Sequence, residues 1–158
     1  VSMKNPVNIS IFASGSGSNA ENLILYFKNH PTIVVNHIFC NKPTAYVLER
    51  AKKFDINTTV FNRHDFYETQ NIINKLNQIN TDFIVLAGFL WLIPQNLIDN
   101  FRGKIVNIHP ALLPKFGGKG MYGNFVHEAV VKNKENETGI TIHWVDEHYD
   151  HGDVIFQK

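Results

Sequence analysis

The chain has 158 residues, 44% of them hydrophobic and 18% charged, with a formal net charge of +1 at pH 7. That length fits one domain able to bury a substantial core, and a near-neutral balance without a lysine-arginine run speaks against a nucleic-acid partner or a membrane surface. No apolar stretch approaches the roughly 18 residues of a membrane span, no signal-peptide pattern precedes or follows Met3, which reads as the natural start, and a cytoplasmic enzyme is expected.

The first predicted element is a strand over residues 7–13, followed by the turn Ser14-Gly15-Ser16-Gly17-Ser18-Asn19 and a helix over 20–30. A glycine-serine turn between strand and helix presents backbone N–H groups and the positive helix end to an anion. Ser18 or Asn19 can cap the helix. The spacing is not G-x-G-x-x-G, and no Gly-Lys-Ser/Thr follows as in a P-loop, so a small phosphate ester is favoured over a nucleotide cofactor. An ordinary capped turn is the plain alternative. Residues 33–40 predict a second strand, in which Cys40 reads as a core thiol in a reducing compartment. A helix over 45–54, a strand over 58–61 and a helix over 66–77 follow, the last capped by Asp65 and striped by Ile72, Ile73 and Leu76. Residues 83–87 are uniformly apolar, as parallel strands covered on both faces tend to be.

Gly88 and Pro94 bracket the apolar segment Phe89-Leu90-Trp91-Leu92-Ile93, which reads as partly loop and could line a pocket for a flat ring system. A short helix over 94–100 leads to a strand over 104–108 within Lys104-Ile105-Val106-Asn107-Ile108-His109-Pro110. Strand alternation sets Asn107 and His109 on one side and Val106 and Ile108 on the other, and Pro110 ends the ladder. An amide and an imidazole thus stand together at the carboxyl end of a core strand, where open α/β sheets bind ligands. Residues 115–123 hold four glycines and form a loop with hinge potential. A helix over about 124–133, a β segment over 138–145 and a last strand over 154–157 complete the chain. Between the last two lies Asp146-Glu147-His148-Tyr149-Asp150-His151-Gly152-Asp153. Its histidines lack zinc-motif spacing, so no metal is expected. Asp146, Glu147, Asp150 or Asp153 could instead orient His109 and raise its pKa.

Ser14-Gly15-Ser16-Gly17-Ser18-Asn19, Leu86-Ala87-Gly88-Phe89, Asn107-Ile108-His109-Pro110-Ala111-Leu112-Leu113-Pro114 and the run from Thr138-Gly139 to Asp150-His151-Gly152 together resemble the folate-dependent formyltransferases, in particular the phosphoribosylglycinamide formyltransferase branch. The resemblance covers essentially the whole chain. The order of elements itself reads as an α/β fold with a mostly parallel central sheet, helices on both faces and last strands that can run antiparallel; the resemblance implies a single Rossmann-like formyltransferase domain over 1–158. It also implies formyl transfer from 10-formyltetrahydrofolate, as co-substrate, to the amine of glycinamide ribonucleotide in purine biosynthesis, with no metal. Motif matching assigns catalysis to Asn107, His109 and Asp150, and the acceptor's phosphate to Gly17, Ser18 and Asn19. The folate falls to Leu90, Trp91, Leu92, Ile93, Asn107, Asp146, Glu147, His148, Tyr149 and Asp150. The implied partners are these small molecules, with no nucleic acid and no membrane, in a monomer or homodimer.

Two positions depart from the family pattern: Trp91 stands where many relatives carry a basic residue, and His151 replaces a frequent glycine. The family also continues past the position of Lys158 with a further helix. The N-x-H-P-x-L-L-P element is shared by formyltetrahydrofolate hydrolases and methionyl-tRNA formyltransferases, which usually add a regulatory or an RNA-binding domain. A reading from another class is a non-catalytic module that binds a phosphometabolite through the first turn alone.

Overall fold

Val7–Ala13 forms β1, and its apolar side chains are shared between the two faces of a parallel sheet. The computed structural model describes residues 5–109, 141–145 and 154–157, which fall into two compact units, residues 1–89 and residues 90–158. In the first unit β1 lies between β2 (Ile33–Cys40) and β4 (Phe83–Ala87), and β3 (Asn57–Val60) pairs with β2, all in parallel. Parallel neighbours need crossovers. These are α1 (Ser18–Phe27), α2 (Val47–Lys53), and the pair α3 (Arg63–Tyr67) and α4 (Asn71–Gln78).

The register sets Phe12 opposite Phe39, and their rings stack with centroids 4.8 Å apart. Phe66 of α3 and Phe89 meet the Phe12 ring at 6.2 and 5.5 Å. Alternation leaves Ile11, Ala13, Ile38 and Cys40 for the opposite face, all fully buried, as are Ala20 of α1 and Val47 and Ala51 of α2. Cys40 is thus a core thiol, as the sequence predicts, and burial pushes its pKa up. At the amino edge of the sheet, buried Ser10 binds Thr81 and Asn36 through its hydroxyl at 2.7 and 3.1 Å. The opposite, carboxyl edge carries the first turn. There Ser14 donates its N–H to the Gly88 carbonyl at 3.1 Å, tying the ends of β1 and β4 together.

One predicted helix is two. The expected 66–77 segment breaks between α3 and α4. Thr69 donates its hydroxyl to the Asp65 carbonyl at 2.8 Å and accepts the Asn71 N–H at 3.1 Å, so a side chain competes with the helical ladder at the break. The cap is Asn62, whose Oδ1 accepts the Asp65 N–H at 2.8 Å; Asp65 lies one turn inside.

In the second unit α5 (Gln95–Asn100) leads into β5 (Ile105–His109), and β6 (Thr141–Trp144) and β7 (Val154–Gln157) add antiparallel strands in the order β5-β6-β7. Ile93, Leu97, Ile98, Phe101 and Ile105 are its buried apolar side chains among the described residues. The predicted loop 115–123, the helix 124–133 and the loop 146–153 lie outside the described residues. Among the described residues no helix is long and apolar enough to cross a membrane.

Candidate functional site

The first turn is built by fastening three successive carbonyls. The Gly15 carbonyl accepts the Val47 N–H at 3.0 Å, and the Gly17 carbonyl accepts the Glu21 N–H at 2.8 Å. Between them the Ser16 carbonyl accepts Arg50 Nε at 2.6 Å. In a trans peptide the carbonyl and the following N–H point in opposite directions. Fixing these carbonyls therefore turns the N–H groups of Ser16, Gly17 and Ser18 the other way, as in a backbone nest that receives an anion. The helix behind them adds its positive end and the early N–H groups that no intrahelical bond uses.

Gly17, not Ser18 or Asn19, is the helix cap, and no side chain bonds there. Its φ of 77° and the place of Val47 require glycine: a Cβ would fall 2.9 Å from Val47 Cα. Gly17 is accordingly buried, whereas Ser16, Ser18 and Asn19 are exposed. Packing against α2 thus explains this glycine, and Ser16, Ser18 and Asn19 form the exposed part of the turn.

In the second unit Asn107 sits on β5 directly across from His143 on β6. The Asn107 amide nitrogen lies 3.2 Å from His143 Nε2, and His143 Nδ1 lies 3.0 Å from the Trp144 carbonyl. A carbonyl can only accept, so Nδ1 carries the proton, Nε2 accepts from Asn107, and the carboxamide is fixed with its nitrogen toward His143. His143 is 2% exposed, so this partner is not exchanged for water. His109 closes β5 two residues further on, its backbone paired with Thr141. Sequence reasoning missed His143. The strand over 138–145 was legible, but the register that seats His143 opposite Asn107 is a long-range pairing that no local pattern specifies.

The remaining expected residues divide. Segment 88–94 has no regular structure, as predicted; Leu90 and Trp91 are half-buried, Leu92 is 42% exposed and Ile93 is buried. Leu92 is the apolar side chain most open to a ligand in that segment, while Ile93 is committed to packing. Asp146, Glu147, His148, Tyr149 and Asp150 lie outside the described residues. Among the described residues no group of three or more His, Cys, Asp or Glu could hold a metal ion.

Parallel strands joined by crossover helices in the first unit, and antiparallel strands in the second, make this a mostly parallel α/β protein of Rossmann-like type. The model of the formyl transferase family matches residues 7–158, and the chain belongs to that family. It is 37% identical over 157 residues to the chloroplastic phosphoribosylglycinamide formyltransferase of Vigna unguiculata, covering 95% of this chain and 50% of that protein. To the phosphoribosylglycinamide formyltransferase of Bacillus subtilis it is 37% identical over 94% of this chain and 76% of the relative. The chain thus spans about half the length of its plant relatives and most of the bacterial one. Its structure is similar to that of glycinamide ribonucleotide transformylase 1 from Geobacillus kaustophilus, with a TM-score of 0.86, 36% identity, and coverage of 98% and 82% of the two chains.

Proposed function

We propose that the protein transfers a formyl group from 10-formyltetrahydrofolate to the amine of glycinamide ribonucleotide; its likeness to phosphoribosylglycinamide formyltransferases supports the acceptor and the group transferred. The observation that carries this reading is the Asn107 carboxamide held by buried His143, two residues before His109 at the end of β5. Attack of the amine on the formyl carbon places negative charge on the formyl oxygen. A fixed carboxamide and a protonated imidazole stabilise that oxyanion by hydrogen bonding, and fixing them in advance removes the cost of reorienting them. Asp150 would orient His109 and favour its charged form. The proton lost by the attacking nitrogen must reach the leaving nitrogen of the folate, and His109 is the group suited to carry it. This chemistry needs neither a metal nor a covalent enzyme intermediate.

In the same reading the acceptor's phosphate rests on the amides around Gly17, Ser18 and Asn19. The pterin takes the segment Leu90, Trp91 and Leu92, anchored by the buried Ile93 side chain, together with Asp146, Glu147, His148, Tyr149 and Asp150. Both substrates are small molecules in the cytoplasm, and the two units act as one formyltransferase domain.

The test is one assay with formyl-folate and three acceptors: glycinamide ribonucleotide, water and charged tRNA. Formylglycinamide ribonucleotide is the expected product. Formate release at the same rate without the ribonucleotide, or formylation of the tRNA alone, would replace the proposal with a hydrolase or a tRNA-modifying enzyme.

A further inference from the structure

We propose that Arg50 is a positioning residue for the phosphate turn, acting through the Ser16 carbonyl to aim the Gly17 amide and its neighbours at the acceptor's phosphate. The proposal rests on the reading of that turn as the phosphate site and names the residue that keeps it in a binding shape.

A short turn containing two glycines has little of its own to stop a peptide unit from rotating. Rotation of the Ser16–Gly17 peptide would put a carbonyl oxygen where an N–H is needed and would repel an anion. The carbonyls on either side are held by backbone donors, Val47 N–H and Glu21 N–H. The middle one depends on a side chain, Arg50 Nε. Three contacts fix that guanidinium: Nη1 pairs with the Glu21 carboxylate, Nε binds Ser16, and the carbon at its centre lies 4.9 Å over the Tyr46 ring. The Arg50 and Glu21 side chains are 24% and 18% exposed, so solvent competes only weakly for the pair. Glu21 lies in the first turn of α1. One planar fork therefore joins the turn, the start of α1 and α2. A lysine ammonium keeps the charge but has no fork to engage a carbonyl and a carboxylate in one fixed geometry.

The measurement is calorimetric binding of inorganic phosphate to the full chain, with phosphate inhibition against glycinamide ribonucleotide as the kinetic counterpart. In the unaltered protein phosphate is expected to bind and to compete with the acceptor. In Arg50→Lys its affinity is expected to fall about tenfold or more, with a parallel rise in the KM for the acceptor, a smaller change in kcat and an unaltered KM for the folate. A merely structural role would move the folate KM and the unfolding midpoint as well. Phosphate affinity and acceptor KM unchanged in Arg50→Lys would overturn the role of Arg50 while leaving the phosphate reading intact. If phosphate neither binds nor competes in the unaltered protein, the turn is not the phosphate site and both readings fall. Should Arg50→Lys not fold, Glu21→Gln decides: it loosens the guanidinium without removing it, a weaker version of the same loss is expected, and no loss overturns the proposal.

Discussion

His143 holds the donor nitrogen of Asn107 in place from the next strand and is itself held by the Trp144 carbonyl. Replacing His143 by phenylalanine keeps an aromatic volume but leaves a half-buried amide with a lost partner. The variant is expected to lose about 1–3 kcal/mol in urea unfolding, and its kcat to fall at least tenfold with little change in either KM. A larger effect on KM than on kcat would show that the pair serves binding and not the transition state. At Gly17 the expected damage is of another kind. Gly17→Ala must strain the backbone at positive φ and push into Val47, a cost of about 1–3 kcal/mol in unfolding together with weaker phosphate binding. Unchanged stability would mean that α2 yields more easily than its packing suggests. At this scale the residue types were legible in the sequence: asparagine and histidine two apart before a proline, and a glycine-serine turn before a helix. The reason for Gly17 was not. It lies in a contact with a residue thirty positions away.

Among the elements, β2 carries a histidine that the expected chemistry does not use. His37 is buried with its Nε2 2.7 Å from the Thr59 hydroxyl. Desolvation first, and then the charge of Lys75, lower its pKa from 6.5 to about 4. The unfolded chain therefore takes up this proton at a higher pH than the folded one. The contribution to stability is complete above about pH 6.5 and is lost as the pH falls toward about 4, by at most about 3 kcal/mol. Urea midpoints at pH 7 and pH 4.5 should show this loss, and His37→Gln should show a shallower one. Equal pH dependence in the two proteins would remove His37 from the account. Apolar, β-branched runs bounded by breakers were the legible elements: β1, β2, β4 and β7 begin and end where the sequence places them. The break between α3 and α4 was hidden because Ile72, Ile73 and Leu76 all lie beyond it in α4 and carry no sign of it, while the Thr69 hydroxyl marks the end of α3 and the Asn62 cap its start. An antiparallel course for the last strands was one the sequence allowed, but no local pattern specified the partners that β6 finds in β5 and β7.

For the molecule as a whole, the order of pairing in the first unit, β3-β2-β1-β4, puts the first turn at the carboxyl edge of a parallel sheet, and the pairing of β5 with β6 fixes the amide at the end of β5. The chain belongs to the formyl transferase family, and the proposed reaction assigns the turn to the acceptor's phosphate and the amide to the formyl oxygen. The central claim is that the Asn107 carboxamide stabilises the oxyanion of formyl transfer. It is tested most directly by the kcat for formylglycinamide ribonucleotide formation in the unaltered protein and in Asn107→Ala, with unfolding midpoints measured alongside. The account predicts acceptor-dependent transfer that falls about 100-fold or more in the variant, while phosphate still binds and the fold persists. A folded Asn107→Ala protein that formylates the acceptor at the unaltered rate would contradict it.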